Sequence, residues 1–387
     1  MARNADRQVF NKPNWTGGDV KIDEYGEALE REVMIDPILE SFDLGVDEYV
    51  DLVSGAWAAT PLNANQAKTA LQSQFWHADP CSLSQISVAA FIYDYQAIHA
   101  GKEGPILTFE KLLSGFQSGV RGGVELYFAP GPIYLAGHNK KGSAIGTEMV
   151  IQEFYVPREM VGISINQTTP YVEISPRSLI GKVLHEEWNA VFASVTGENG
   201  QISNHAHQRL ATALKIALGV DPQREDVRSQ ARELLRRQLQ RFIVENLESP
   251  KLTVEMILSR FGVSRASLYR MFEVYGGIRH YITHLRASKA VLQVWQTQSQ
   301  RGSVHAAQTR WGFASGNDFN RTVRRLFGNT PKRLVSSFVD RDDFAGHPSS
   351  IVHHPNRRRH ERGELNGNSS PRFFSPGSLV DKMLYYG

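Results

Sequence analysis

Cysteine is almost absent from this sequence, since Cys81 is the only one among its 387 residues. An intrachain disulfide is therefore excluded, as is a zinc site built on several cysteines, and a reducing compartment is the simplest expectation. The sequence also lacks a basic and then apolar leader at its N-terminus, and it contains no apolar run of about 18 residues. We therefore expect a soluble, cytoplasmic protein that does not bind a membrane.

Motifs of catalysis and nucleotide binding are lacking as well. The glycine-rich run at residues 115–123 has no Lys-Ser/Thr ending, so it is interpreted as a loop and not as a phosphate-binding site. Of the 13 histidines, His205 and His207 are close in sequence, but on a helix residues i and i+2 point to different faces. The sequence thus predicts a protein that is not an enzyme and holds no cofactor or metal, with a metalloenzyme on a cupin-type barrel as a remote alternative.

The net charge is only +3, but it is distributed unevenly along the chain. Residues 251–335 contain 14 Lys and Arg and 3 acidic residues, a net charge of +11, whereas residues 1–250 carry a net charge of −9. Neutralisation of DNA phosphates requires such a concentration of positive charge. A solvated basic face without nucleic acid would have the same charge balance.

Within this basic segment, one pattern occurs twice with a period of 50 residues. In the first copy, Thr253 is predicted to cap a short amphipathic helix that ends at Gly262, and a second helix follows. In the second copy, Ser303 takes the place of Thr253, and Gly312 takes that of Gly262. Two short helices joined by a turn with glycine form the unit that puts its second helix into the DNA major groove.

The segment between the two copies predicts one longer helix. Apolar residues at helical spacing cover residues 278–295, which corresponds to roughly 28 Å at about 1.5 Å per residue. Successive major grooves on one face of DNA repeat every ~34 Å. A single chain could therefore place both units in successive grooves without a partner.

Several short stretches in the two copies share a specific pattern. They are Gly262-Val263-Ser264, Leu268-Tyr269-Arg270-Met271-Phe272, Trp311-Gly312-Phe313, Phe319-Asn320-Arg321 and Phe327-Gly328-Asn329-Thr330-Pro331. With these stretches, residues 224–338 resemble the C-terminal domain of the AraC/XylS family of bacterial transcription regulators. The resemblance implies a regulator, usually an activator, that binds double-stranded promoter DNA and acts with RNA polymerase. It also implies an N-terminal domain that senses a small molecule or mediates dimerisation.

The sequence departs from the family pattern at three positions. Leu258 and Gln308 stand where a small alanine is usual, and Asn317 stands where serine is common. Leucine can repack, but Gln308 would place an amide on a face expected to be buried, at a cost on the order of 1–3 kcal/mol if it lacks partners. We therefore expect the second unit to be looser than the first.

Matching to the family motif implies which side chains contact DNA. The residues matched to base reading are Ala266, Tyr269 and Arg270 in the first unit and Gly316, Asn317, Asp318 and Arg321 in the second. Arginine suits guanine and asparagine suits adenine. The residues assigned to phosphates, which set position and not sequence, are Ser264, Arg265, Arg324, Arg325, Thr330 and Lys332. Alternatively, Arg270 or Arg321 could hold the two units together through an internal ion pair.

The N-terminal half has a different pattern. Residues 67–160 contain short β-branched and aromatic runs separated by turn signals such as Pro130-Gly131-Pro132, which favours an all-β sandwich or barrel. Helical spacing is found at residues 178–218, and one or two helices are expected between Ile38 and Trp57. We thus predict an α+β protein of two domains: an N-terminal cupin-like all-β barrel with flanking helices, and a C-terminal all-α tandem helix-turn-helix domain. The cupin-like architecture is what the family resemblance implies.

Composition divides the chain into four segments. Residues 1–23 form a loose arm, residues 24–220 an effector-binding or dimerisation domain, and residues 221–339 the DNA-binding domain. Residues 340–387 are rich in Gly, Pro, Ser and Asn and are predicted to be a disordered tail. The helices at residues 178–218 could form a homodimer contact or could simply cover the barrel.

A small-molecule effector of unknown identity would bind inside the barrel. Its predicted lining is aromatic with a few polar groups, and consists of Phe91, Tyr93, Tyr95, Tyr127, Tyr134 and His138. Alternating aromatic residues in strands are explained equally well as core. Arg121 and Arg158 could pair with a carboxylate ligand or could lie on the surface.

Together these patterns predict an effector-responsive transcription regulator that acts as an activator. The alternative is an effector-gated dimerisation module whose DNA binding is accessory.

Overall fold

A computed structural model describes most of the two predicted domains. The described residues are 21–22, 28–29, 34–53, 57–62, 69–95, 106–135, 141–163, 171–197, 200–219, 227–297 and 300–339. The predicted tail at residues 340–387, and nearly all of the predicted arm at residues 1–23, lie outside these ranges.

Antiparallel strands dominate the N-terminal half. They are β1 (Lys21–Ile22), β2 (Ala28–Leu29), β3 (Met34–Ile35), β4 (Ile38–Leu44), β5 (Ala58–Pro61), β6 (Leu71–Ala78), β7 (Cys81–Val88), β8 (Phe91–Tyr95), β9 (Ile106–Ser114), β10 (Gln117–Arg121), β11 (Val124–Phe128), β12 (Ile133–Leu135), β13 (Gly142–Gly146), β14 (Met149–Pro157), β15 (Val172–Ile174) and β16 (Ile202–Ser203). The α-helices in the described part of this half are α1 (Val46–Val53), α2 (Leu179–Thr196) and α3 (Asn204–Leu218).

Most of these strands form two large sheets. The smaller sheet has the order β11-β10-β13-β8-β5, and the larger one has the order β15-β12-β9-β14-β7-β6-β4. Because successive side chains of a strand point to opposite faces, each sheet has two distinct faces. The inner faces meet in one core that includes Tyr93, Leu112, Leu126 and Met149.

Helices α2 and α3 cover the outer face of the seven-stranded sheet. Phe109 and Phe154 of the sheet share a core with Trp188 of α2 and Leu210 of α3. Both helices begin with a serine whose hydroxyl accepts a backbone N–H, as the composition of helix N-termini favours. The helices predicted at residues 178–218 are therefore present, and their buried faces act as a cover for the sheet.

One predicted element is partly wrong. Residues 38–44 were expected to be helical, but they form strand β4, which pairs with β6 from Ile38 to Leu44. The apolar residues Ile38, Leu39 and Phe42 fit helical spacing, so periodicity alone could not exclude a helix. Pairing with the edge of β6, a contact distant in sequence, decides for the strand. Helix α1 follows at Val46–Val53.

The C-terminal half is helical throughout its described residues. Its helices are α4 (Val227–Glu245), α5 (Val254–Phe261), α6 (Arg265–Met271), α7 (Ile278–Gln296), α8 (Ser303–Arg310), α9 (Gly316–Phe327) and α10 (Pro331–Val339). Helices α5 and α6 form the first helix-turn-helix unit, and α8 and α9 form the second. The predicted fold class, with a β-rich N-terminal domain and an all-α C-terminal domain, is confirmed.

The turns after the first helices of the two units share a left-handed glycine, but these helices begin differently. Gly262 (φ 61°) and Gly312 (φ 70°) both adopt the left-handed backbone region that favours glycine. Thr253 caps α5 by accepting the N–H of Met256, as predicted. Ser303 does not cap α8, because it is the first helical residue and Gly302 occupies the cap position. The predicted cap at Ser303 is therefore wrong.

Gln308 also differs from expectation. It is partly exposed and not buried, so the amide is not enclosed in the apolar core as the sequence pattern suggested. The apolar back of α8 depends instead on Ala307, which is fully buried.

The two halves share a hydrophobic core. Ile92, Tyr127 and Ile145, on the outer face of the five-stranded sheet, pack in one cluster with Tyr281 and Leu285 of α7. The molecule is thus layered: α2 and α3, the seven-stranded sheet, the five-stranded sheet, and then the helical domain.

Candidate nucleic-acid interface

Helix α6 presents a polar surface on an apolar base. Ser264 caps the helix, and its hydroxyl accepts the N–H of Ser267 at 3.1 Å. Leu268 is fully buried and anchors the helix to the core. Ala266 and Arg270 are exposed, and Tyr269 is partly exposed. The three residues predicted to read bases in this unit therefore lie on its solvent side.

Helix α9 repeats this arrangement with a longer polar face. Ser315 caps it by accepting the N–H of Asp318 at 3.2 Å. Phe319, Val323 and Phe327 form its buried face. The residues matched to base reading lie on the other side, where Asn317 and Arg321 are exposed and Gly316 and Asp318 are partly exposed.

The side chains assigned to phosphates are also accessible. Ser264, Arg265, Arg324, Arg325 and Lys332 are exposed, and Thr330 is partly exposed. Ser264 uses its hydroxyl oxygen as the helix cap and donates its hydroxyl proton to Oγ of Ser267 at 3.0 Å, so its contact with a phosphate would use the backbone N–H or would replace this hydrogen bond. Arg265 forms an ion pair with Glu255 of α5 at 2.9 Å.

An ion pair of Arg321 occurs within its own helix and not between the two units. Its Nη2 lies 3.0 Å from Oδ1 of Asp318, and the Arg321 side chain is 80% exposed. An exposed pair three residues apart contributes only about 0.3–0.5 kcal/mol. Arg321 can therefore exchange this carboxylate for another partner at little cost.

The two units are instead joined by Arg286 of α7, which the sequence analysis missed. Its guanidinium donates to the carbonyl oxygens of Leu247 (3.1 Å), Ser249 (2.7 Å) and Gly312 (3.3 Å). It thus connects the segment before the first unit with the turn of the second. The sequence did offer one signal for this role, because Arg286 is a charged residue between the apolar Leu285 and Ala287.

In the N-terminal domain, four residues of the predicted effector lining lie together. Phe91, Tyr93 and Tyr95 are alternate residues of β8, and with Tyr134 of β12 they face the space between the two sheets. All four are buried. His138 lies outside the described residues.

Tyr127 does not belong to this lining, and that part of the prediction is wrong. Its neighbours Leu126 and Phe128 point inward, so the alternation of the strand turns Tyr127 toward the helical domain. Its hydroxyl lies 2.8 Å from Nδ1 of His284 in α7.

The interior also contains charged groups that the sequence analysis did not assign to it. Glu110 of β9 and Glu153 of β14 are directly opposite each other in the sheet. Oε2 of Glu153 accepts hydrogen bonds from the hydroxyls of Ser84 (2.7 Å) and Tyr155. Burial, and secondarily the neighbouring Glu110, raises the pKa of Glu153 to about 7.

Arginine is buried in this domain too. The Arg121 guanidinium lies 3.9 Å from the ring centroid of Tyr95, and Arg121 and Arg158 are both enclosed. The alternative that these two arginines lie on the surface is therefore wrong. Counting alternate positions along β9, β10 and β14 would have assigned Glu110, Arg121 and Glu153 to one interior, but only if the strand limits were known.

Two further structural properties bear on function. Within the described residues, no three His, Cys, Asp or Glu side chains are grouped so that they could hold a metal ion. No helix in those residues combines the length and the apolar character needed to cross a membrane.

Comparison with known proteins identifies the helical domain. Residues 257–337 match the family model of a helix-turn-helix domain. No curated protein sequence matches the chain. Similar solved structures include the AraC-like transcriptional activator CuxR (14% identity, 71% of this chain and 99% of that chain, TM-score 0.36). ToxT from Vibrio cholerae O395 (11%, 70% and 98%, 0.24) and KdgF from Halomonas sp. (12%, 23% and 80%, 0.19) also resemble it.

Proposed function

We propose that the chain reads two successive major grooves of DNA. The premise is that residues 257–337 form an AraC-type helix-turn-helix domain of a DNA-binding transcription regulator. Helices α6 and α9 would be the reading helices. The observation that carries the proposal is that each has a buried apolar back and an exposed polar face, with α7 between the two units. The 19 residues of α7 span roughly 28 Å, which suits grooves that repeat every ~34 Å.

Charge supports the same assignment. Residues 251–335 carry a net charge of +11, and the exposed Arg324, Arg325 and Lys332 belong to the second unit or the helix that follows it. Phosphate contacts give affinity that depends on salt, whereas base contacts give sequence preference. The exposed arginine and asparagine side chains of α9 suit guanine and adenine.

We further propose that the regulator activates transcription with RNA polymerase in response to a small molecule. Activation is what the family resemblance implies. The effector would occupy the space between the sheets, where Tyr93, Tyr95 and Tyr134 belong to one core and the Arg121 guanidinium lies 3.9 Å from the ring centroid of Tyr95. Aromatic walls with a few converging polar groups are typical of ligand sites.

The test is a binding-site selection with the wild-type chain, Arg321→Ala and Lys332→Ala. Arg321→Ala should lower specific affinity by about 1–3 kcal/mol and relax the preference at one base position. Lys332→Ala should weaken all DNA sequences about equally and reduce the salt slope by about 1. The reverse pattern would contradict this division of roles.

The matched control is Arg209→Ala, because Arg209 is an exposed arginine of α3 in the β domain. It removes the same charge without touching either reading helix and should leave both affinity and preference unchanged. If the wild-type chain selects no common sequence at all, the proposal of groove reading fails.

A second candidate is an effector-gated dimerisation module with accessory DNA binding. It is favoured by the outer side of α2, where Leu179 is 78% exposed and Val183 is 43% exposed. Light scattering with and without candidate ligands distinguishes the two. A ligand-dependent change of mass together with DNA binding that shows no sequence preference would favour the module.

A further inference from the structure

The β domain contacts both helix-turn-helix units near the end of the second helix. Tyr275 lies just after the reading helix α6, and Phe327 is the last residue of the reading helix α9. The two residues are 52 positions apart. Each is succeeded by a glycine in the left-handed region, Gly276 (φ 75°) and Gly328 (φ 77°). These two aromatic-glycine turns end the two units.

The first contact is centred on Tyr275. Its hydroxyl donates to Oε1 of Glu173 in β15 at 2.5 Å, and the Arg236 guanidinium of α4 lies 2.9 Å from the same oxygen. Glu173 and Arg236 are each only 8% exposed. Beside them, Arg177 of the β domain donates to the carbonyl oxygen of Arg270 and pairs with Glu273, at the end of α6.

The second contact is centred on Phe327. The ring of Phe116, in the loop between β9 and β10, lies 6.1 Å from the ring of Phe327 and stacks on His284 at 4.4 Å. Next to it, Nδ2 of Asn329 donates to the carbonyl oxygen of Leu62 at 3.0 Å. The β domain therefore touches the turn of the second unit as well.

Between these two contacts, the five-stranded sheet holds α7 itself. The Tyr127 hydroxyl lies 2.8 Å from Nδ1 of His284, and Nζ of Lys289 lies 2.5 Å from Oε1 of Glu125. The β domain thus contacts the helix that joins the units and the end of each unit.

We propose that this interdomain surface sets the distance and the rotation between α6 and α9, and thereby selects the spacing of the two DNA half-sites. The inference rests on the proposed reading of two grooves. Glycines flank α7 on both sides, Gly276 and Gly277 before it and Gly302 after it, and all three have positive φ. Glycine accepts many backbone conformations, so these turns do not fix the orientation of the units, which depends on the packing around them. One base pair changes the half-site separation by ~3.4 Å and the rotation by roughly 35°, so small rotations matter.

Half-site spacing provides the first test. The full chain is bound to operators whose half-sites are separated by 9 to 13 base pairs in single steps, around the ~10 expected for adjacent grooves. Phe116→Ala removes the ring contacts of the second site, and Arg177→Ala weakens the first without leaving a buried charge. The control is Phe192→Ala, which removes a buried ring from α2 on the far side of the β domain.

The wild-type chain and Phe192→Ala should prefer one spacing about 10-fold over its neighbours, whereas both interface variants should bind neighbouring spacings within roughly 2-fold. The proposal is overturned if Phe116→Ala and Arg177→Ala keep the wild-type preference, because α7 alone would then set the spacing.

A measurement without DNA separates this proposal from the proposed function. Spin labels are attached at Ala266→Cys and Asn320→Cys, both exposed positions, in a Cys81→Ala background. Double electron–electron resonance should give a narrow distance distribution that Phe116→Ala broadens and Phe192→Ala does not. Equal widths in all three proteins would refute the interdomain proposal, whether or not the chain selects a DNA sequence.

Discussion

Glu153 illustrates how its surroundings give one residue an unusual property. Its carboxylate lies inside the β domain, directly opposite Glu110, and accepts hydrogen bonds from the hydroxyls of Ser84 and Tyr155. Like charges directly opposite each other in a sheet are destabilising. Burial and this neighbour raise the pKa of Glu153 from 4.5 to about 7, so the folded protein retains a proton that the unfolded chain loses.

This residue therefore predicts a pH dependence of stability. Between pH 4.5 and about 7 the native state binds more protons than the unfolded state, so Glu153 should lower the free energy of unfolding as pH rises. The slope should be up to about 1.4 kcal/mol per pH unit. Urea unfolding at several pH values should show that Glu153→Gln removes this part of the slope. Glu148→Gln, at an exposed glutamate of the same domain, should retain it; equal slopes for both variants would contradict the assignment.

At the scale of elements, the two helix-turn-helix turns look alike in sequence but differ in their surroundings. A Cβ at Gly262 would meet nothing within 4 Å, whereas a Cβ at Gly312 would lie 3.0 Å from the guanidinium of Arg286. The Arg286 guanidinium donates to three carbonyl oxygens and so connects the segment before the first unit with the turn of the second. The same substitution should therefore have different costs in the two copies.

Gly262→Ala should reduce the free energy of unfolding by about 1–2 kcal/mol, the cost of a left-handed alanine. Gly312→Ala should cost at least ~1 kcal/mol more, because hydrogen bonds of a charged group must be weakened. Denaturant unfolding of the full chain measures both. In an Arg286→Ala background the difference between the two glycine variants should disappear; if it persists, Arg286 is not its cause.

At the scale of the whole molecule, the interdomain surface contains a buried ion pair. Arg236 of α4 and Glu173 of β15 are 2.9 Å apart, and both are almost fully enclosed. Removal of one partner of such a pair leaves an uncompensated buried charge, which costs about 3–5 kcal/mol. Loss of one of these two charges should therefore destabilise both domains together.

We expect Glu173→Gln alone to destabilise the chain by about 3–5 kcal/mol, and Glu173→Gln with Arg236→Gln to recover a substantial part of that loss. Urea unfolding followed by Trp fluorescence and circular dichroism measures these two variants and Arg236→Gln alone. A double-variant cost equal to the sum of the two single costs would show that the charges are not coupled. Arg209→Gln with Glu187→Gln, an ion pair at the surface of the β domain with side chains 51% and 28% exposed, is the control.

The sequence by itself determined the two-unit helical domain and the general character of the β domain. A helix cap such as Thr253 and turn glycines such as Gly262 and Gly312 determine the backbone within a few residues. The apolar stripes are also local, so all of these features can be predicted from short stretches of sequence. The same holds for the concentration of positive charge in residues 251–335. Local periodicity did not predict that residues 38–44 form a strand and not a helix, because the partner strand β6 lies about thirty residues away.

Only the tertiary structure decided which side chains face each other. The alternation of a strand turns Tyr127 outward, and encloses Glu110 and Arg121, once the strand limits and the packing of both faces are known. The contacts of Tyr275 with Glu173 and of Phe327 with Phe116 join residues 102 and 211 positions apart. No local pattern encodes such contacts, because they form only when the two domains pack together.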